Sequence, residues 1–164
     1  MQKYWTHYDV IVIGGGASGL MAAGIVAQRG KRVLIVEKNP ELGKKLKITG
    51  GGRCNITNAE FDTRVLLKHY KKAEKFLYSA FAQFGVEDTF TFFEEKKLPL
   101  VVEARKRAFP KSQRALDVYK VLESFIRRHK VAVVHNTPIK KVKTRDRKII
   151  SVQSADTEFT ADAF

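Results

Sequence analysis

Cysteine is almost missing from this 164-residue chain. Cys54 stands alone, which excludes an internal disulfide framework and, with no secretory signature, points to a reducing cytoplasm. Acidic residues are scarce as well, 17 against 31 Lys plus Arg, for a net charge of +14. An uninterrupted apolar run is also lacking. The most apolar window, Val10 to Ala27 behind Lys3, holds Gly14, Gly15, Gly16, Gly19 and Gly24, and four of them crowd one six-residue stretch. Such crowding breaks a helix in its middle and argues against a signal or membrane segment. No internal repeat or low-complexity linker stands out. The four histidines, His7, His69, His129 and His135, are dispersed without ligand spacing to Cys or carboxylates, so no metal site is expected. No Ser–His–acid set and no paired carboxylates can be placed together, so no catalytic side chain is named.

What is present reads as globular. At 44% apolar and 29% charged residues, the chain can bury a core of one domain over residues 1–164. The cationic excess has two readings. One is a nucleic-acid or anionic-membrane partner; the other is solvated surface. The positive residues come in scattered groups, among them Lys44-Lys45-Lys47 and Lys68-Lys71-Lys72-Lys75. The second group has helical spacing opposite Leu66, Tyr70, Leu77 and Phe81, which favours solvated surface.

The informative motif is Gly14-Gly15-Gly16-Ala17-Ser18-Gly19, placed between the apolar run Tyr8 to Ile13 and a helix of small residues from Ala17 to Arg29. In a strand–turn–helix unit each glycine of the triplet acts differently. Gly14 permits the turn, Gly16 lets backbone approach a pyrophosphate, and Gly19 lets the helix pack close to the strands. Gly30 ends the helix. A second strand follows, Arg32 to Val36, closed by Glu37, 18 residues past Gly19. An acid at that offset meets a ribose hydroxyl and repels a 2′-phosphate, favouring FAD or NAD over NADP. The plainer alternative is a glycine turn with no nucleotide.

Beyond Pro40 lies a second glycine run, Gly50-Gly51-Gly52, next to Arg53, Cys54 and Asn55. Its exposed N–H groups and neighbouring guanidinium and amide can wrap another part of a cofactor, which suits the longer FAD better than NAD; an ordinary flexible loop is the alternative. Cys54 has no second cysteine for a flavin-linked disulfide and is expected to be a small buried residue.

The segment Gly43 to Asn58 resembles the diagnostic stretch of the aminoacetone-oxidase-type FAD-binding flavoproteins, a family of NAD(P)/FAD-dependent oxidoreductases with bile-acid reductase-like members. Arg107-Ala108-Phe109-Pro110-Lys111-Ser112 through Val118 is similar to that family's Phe-Pro-x-Ser-x-x-Ala segment. The resemblance implies FAD held by Gly14, Gly16, Ala17, Ser18, Gly19, Glu37 and Lys38 at its diphosphate and adenosine. It implies Lys45, Thr49, Gly51, Arg53 and Asn55 towards the flavin end, and Ile139 at the adenine. It also implies hydride transfer through the flavin with NAD(P)H or the substrate as donor, and a small-molecule substrate. Family chains are several times a single fingerprint unit in size, so an incomplete N-terminal portion is expected here, not fully active alone, with the substrate domain missing and with the returning strand missing too, since Thr160 to Phe164 is where such a strand would just be starting. The alternative is a basic Rossmann-fold module that grips RNA or another anion without redox activity.

The expected fold is therefore α/β, Rossmann-like, with a parallel sheet, crossover helices and a small antiparallel meander. Asp62 or Thr63 caps a helix running to a stop at Gly85 with a break near Ala73. Short strands are expected at Thr89 to Phe93 and Leu100 to Val102. Ser112 is the expected N-cap of a helix whose stripe is Ala115, Val118, Tyr119, Leu122, Phe125 and Ile126. Val131 to Val134 reads as a buried parallel strand, and three alternating segments between Ile139 and Ala161 read as the meander.

Overall fold

A computed structural model describes residues 7–164; Lys3 lies outside them. The chain divides into two compact units, residues 7–46 with 122–164, and residues 47–121.

The first unit is built on a parallel sheet. Strand β1 (Tyr8–Ile13) leads through helix α1 (Ala17–Gln28) to strand β2 (Val33–Val36). All four β2 residues are buried, as a strand covered on both faces requires. Strands β6 (Ala132–Val134) and β10 (Ala161–Ala163) flank this pair, giving the order β10-β1-β2-β6 with every pairing parallel. A strand does return to the sheet here, β10 beside β1 in register Tyr8↔Ala161 and Val10↔Ala163, against the expectation that the returning strand is missing. β6 is only half-buried, because it lies at the outer side of β2 and not inside the sheet. Tyr8, Ile11, Leu34 and Val36 form one core cluster against which Ala132, Val134, Ile139, Phe159, Ala161 and Phe164 pack. The meander is present as β7 (Lys141–Arg145), β8 (Lys148–Gln153) and β9 (Glu158–Phe159), antiparallel in sequence order.

α1 sits tight. A Cβ on Gly24 would lie 2.3 Å from the Phe125 ring, so only a residue without a side chain fits there. Arg29 follows the helix and Gly30 turns the chain at φ +81°.

In the second unit β3 (Thr57–Asn58), β5 (Arg107–Pro110) and β4 (Leu100–Glu103) make an antiparallel sheet, with β5 central. The break expected near Ala73 is present: the stretch forms α3 (Thr63–Lys68) and α4 (Glu74–Gln83), parted by a 3-10 turn at Lys71–Ala73. Asp62 caps α3, its Oδ1 accepting from the N–H of Arg64 (2.8 Å) and Val65 (3.2 Å). Tyr70 is exposed rather than packed inside, its ring 6.2 Å from that of Phe81.

Two expectations are overturned in this unit. Thr89 to Phe93 is not a strand but part of helix α5 (Val86–Glu95). Gly85 does not stop the preceding helix so much as start this one: its N–H donates to Asp88 Oδ2 at 2.7 Å, and Thr89 Oγ1 donates back to its carbonyl at 2.8 Å. These contacts and the burial of Val86, Phe92 and Phe93 outweigh the β-propensity of aromatic and branched residues. Ser112 does not cap the next helix, α6, which begins at Ala115 and runs to Arg128. The chain first turns at Gln113 (φ +57°), whose N–H donates to Pro110 O at 2.8 Å. The α6 stripe is as expected, with Ala115, Val118, Tyr119, Leu122, Phe125 and Ile126 all buried.

Candidate functional site

At the β1–α1 turn the sheet leaves free backbone where a ligand can reach it. Gly14 turns at φ +97°, and its N–H donates to Val36 O at 2.9 Å. Gly16 is the N-cap of α1, without side-chain capping and without an acidic residue in the first turn. First-turn amides have no partner within a helix and lie at its positive end. Gly16, Ala17 and Ser18 are exposed. A Cβ on Gly14 or Gly16 would meet nothing within 4 Å, whereas one on Gly19 would fall 2.0 Å from Gly14 O. The first two glycines therefore leave a backbone-lined cradle open, and the third allows helix and turn to touch. That is the geometry a dinucleotide pyrophosphate requires.

Glu37 directly follows β2 and is only 6% exposed as a residue. Its Oε2 accepts from Gly15 N–H at 2.7 Å, and its Oε1 accepts from the Asn39 N–H at 2.8 Å and the Asn39 side-chain amide at 2.6 Å. Burial pushes the carboxyl up, but hydrogen bonds from Gly15, Asn39 and the Lys38 backbone outweigh it and hold the group below its ordinary value. Glu37 is thus an anion held next to the glycine turn, with lone-pair capacity on Oε2 left for a hydroxyl donor. Gly15 takes part through its carbonyl too, accepting from Gly43 N–H at 2.8 Å, and a Cβ there would sit 2.2 Å from Leu42. Sequence reasoning missed Gly15, Asn39 and Leu42. The first was legible in principle, as the fingerprint's middle residue. The side-chain clamp from Asn39 carried no sequence signal.

Lys38 and Lys45 are exposed, and Ile139 is half-buried with its side chain packed on the core cluster.

The stretch Lys44–Gly52 (α2), in the second unit from Lys47 on, starts as a helix and breaks at Thr49, with Gly50, Gly51 and Gly52 at φ +59°, +67° and +84° and Cys54 at +63°. Successive left-handed residues favour glycine there. Thr49, Gly50 and Gly51 are exposed. Asn55 is placed to donate its side-chain amide to the carbonyls of Thr57 (3.1 Å) and Ala108 (3.2 Å). Cys54 is buried, and burial pushes its thiol up to about 11. The Arg53 guanidinium is engaged within its own unit: Nε donates to Gln113 Oε1 at 2.6 Å, the terminal nitrogen pairs with Glu103, and the group stacks 4.1 Å over the Phe109 ring.

One grouping lay outside sequence reasoning altogether. Donor atoms of His7, Asp9 and Asp162 lie within 4.8 Å of one another, since β10 returns beside β1. They are committed locally, His7 Nε2 to Asp162 at 3.1 Å and Asp9 to the N–H (2.6 Å) and guanidinium (3.2 Å) of Arg32. Among the described residues no helix is long and apolar enough to cross a membrane.

Residues 8–164 match the family model described as the HI0933-like protein Rossmann domain. The chain belongs to this family. It is 33% identical over 155 residues to the 3-dehydro-bile acid delta(4,6)-reductase of Clostridium scindens, covering 92% of this chain and 36% of that protein. It is 42% identical over 52 residues to the ribosomal RNA dihydrouridine synthase of Escherichia coli, 32% of this chain and 13% of that protein. Among solved structures, the 3-ketosteroid-delta4-(5alpha)-dehydrogenase of Rhodococcus jostii superposes with a TM-score of 0.70 at 14% identity, over 99% of this chain and 45% of that one. The chain thus spans about a third or less of the length of these two curated relatives. The fold is the α/β Rossmann-like one that covers the N-terminal part of larger FAD proteins, and the cradle and the anchored Glu37 fit FAD as the cofactor.

Proposed function

We propose that this HI0933-like domain is the FAD-holding portion of an oxidoreductase that moves a hydride onto or from a carbon–carbon bond of a small unsaturated substrate. The observation that carries the reading is the open cradle of Gly14 and Gly16 beside the anchored Glu37 carboxylate. Amides of Gly16, Ala17, Ser18 and Gly19 hold the diphosphate, Glu37 takes the adenosine ribose through Oε2, and Lys38 adds charge at the rim. Ile139 contributes backbone at the adenine. Lys45, Thr49, Gly51 and Asn55 serve the same nucleotide towards its flavin end, chiefly through main-chain groups.

When bound, the flavin supplies hydride acceptance and donation, and the protein supplies binding and orientation. NAD(P)H or the substrate itself is the electron donor. The double-bond chemistry rests on the two curated relatives, a 3-dehydro-bile acid delta(4,6)-reductase and a ribosomal RNA dihydrouridine synthase; that the substrate is small follows the first, whose match covers 92% of this chain against 32% for the second. A cytoplasmic setting agrees with a lone free cysteine.

The full-length protein, purified and saturated with FAD, should show a bound-flavin absorbance band and gain thermal resistance. Anaerobically, once the flavin is bleached by NAD(P)H, an α,β-unsaturated ketone should restore the band and its saturated counterpart should not. A colourless protein with no thermal gain sinks the cofactor reading. No restoration by the unsaturated ketone, or bleaching of the oxidised flavin by an amino acid, sinks the substrate class.

A further inference from the structure

Arg53 lies beside the left-handed glycine loop, and the resemblance would make it a cofactor residue. The geometry around it says what else it does. Its Nε bond to Gln113 is 2.6 Å, its terminal nitrogen pairs with Glu103, and Gln113 Nε2 donates to the same Glu103 oxygen at 3.2 Å, closing a three-membered ring of side chains. The guanidinium also rests 4.1 Å over Phe109. That ring is in turn the neighbour of the loop, since a Cβ built on Gly50 would lie 3.6 Å from Phe109 Cε1. The partners come from the end of β4, from β5 and from the turn after it, so one side chain ties the loop to the antiparallel sheet.

The far side of the loop is tied to the sheet as well. Ile56 N–H donates to Ala108 O at 2.8 Å, and the Asn55 amide reaches the same carbonyl. Across the loop, Cys54 N–H donates to Thr49 O at 3.1 Å. Between these ties run Gly50, Gly51 and Gly52, all at positive φ, a conformation with high chain entropy to lose and no side chains of its own to hold it. Such a loop presents its amides in one arrangement only if something outside it does the holding.

We propose that Arg53 is a positioning residue: through Glu103, Gln113 and Phe109 it holds the Thr49–Gly52 backbone in the shape that receives the cofactor, rather than contacting the cofactor itself. This rests on the reading above that the loop serves FAD. The Arg53 bond keeps the Glu103 carboxyl below its ordinary range, with Gln113 adding to it, so the ion pair persists at neutral pH.

The test uses the full-length protein and the variants Arg53→Ala, Arg53→Lys, Glu103→Ala, Gln113→Ala and Arg53→Ala/Glu103→Ala. Lys106→Ala, which removes the Lys106–Glu60 pair elsewhere in the same unit, is the control. FAD affinity is read by flavin fluorescence, and loop order by amide hydrogen exchange in the FAD-free protein.

Arg53→Ala and Glu103→Ala should each weaken FAD by about tenfold, the size of one lost charged hydrogen bond. The double variant should be no weaker than either single one, because the residues act as one unit. Gln113→Ala and Arg53→Lys, which keeps charge but neither forks nor stacks, should fall in between. Exchange at Gly50 to Gly52 should quicken in the same order, while Lys106→Ala changes neither readout.

If Glu103→Ala leaves FAD binding intact or tightens it while Arg53→Ala weakens it, Arg53 is a direct ligand and the positioning role is overturned. Unchanged affinity and exchange in every variant overturn it too. Should Arg53→Ala fail to fold, Arg53→Lys and Gln113→Ala carry the same decision. A wild-type protein that takes up no FAD refutes the cofactor reading instead, and exchange alone then reports whether Arg53 orders the loop.

Discussion

Replacing Glu37 with Gln separates the two oxygens that the fold uses differently. Oε2 accepts from the N–H of Gly15, and Oε1 accepts from two donors of Asn39. Glutamine keeps the shape but offers a single acceptor oxygen. If that oxygen faces Asn39, two of the three bonds survive and its NH2 confronts the buried Gly15 N–H; if it faces Gly15, both Asn39 donors lose their partner. Either way at least one donor is orphaned, a cost of about 1.5–3 kcal/mol for a hydrogen bond to a charged group. Relief from burying a charge offsets part of this, leaving a net loss of about 1–2 kcal/mol at pH 7. That corresponds to about 2–8 °C in Tm for a chain of this size.

The pH dependence gives a second check with a definite sign. The folded Glu37 carboxyl lies below its ordinary value of 4.5. Its contribution is therefore present above that pH and is lost as the pH falls through the folded value. Glutamine does not titrate, so the stability gap between wild type and Glu37→Gln should close as the solution is acidified below about pH 4.5. Urea unfolding of the FAD-free full-length protein, followed by far-ultraviolet circular dichroism between about pH 3.5 and 7, measures it across the carboxyl range. No gap at neutral pH, or a gap that widens on acidification, refutes the account of Glu37 as the anchor of the glycine turn.

Gly19→Ala would press a methyl to 2.0 Å from Gly14 O, where only backbone movement relieves the clash, so it should cost about 1–3 kcal/mol and weaken FAD retention. Gly30→Ala, at φ +81° in open space, should cost about 1 kcal/mol of backbone strain and leave FAD retention alone; thermal melts and flavin content of the purified variants distinguish the two. Cys54, buried with its thiol pushed up to about 11, should resist iodoacetamide in mildly alkaline buffer in the native protein and react in urea, with intact-mass spectrometry counting the adducts; rapid native labelling would show that the loop opens.

The sequence by itself determined the first β–α–β unit, its glycine turn and the acid at its end, because these lie close together along the chain and each needs a particular residue type: no side chain at Gly19, a carboxylate at Glu37, branched residues through β2. The α6 stripe and the meander were legible for the same reason, a short period repeated locally. Thr89 to Phe93 was misread because its composition favours a strand, while the Asp88 cap and the burial of Phe92 and Phe93 favour a helix. Only the tertiary structure decided what Arg53 and His7 touch. Their partners lie 50 and 60 residues away in one case and 155 in the other, and contacts between side chains that distant leave no periodic or spacing signal in one chain. They arise where separate strands happen to pair, and that pairing is chosen by the packing of the whole.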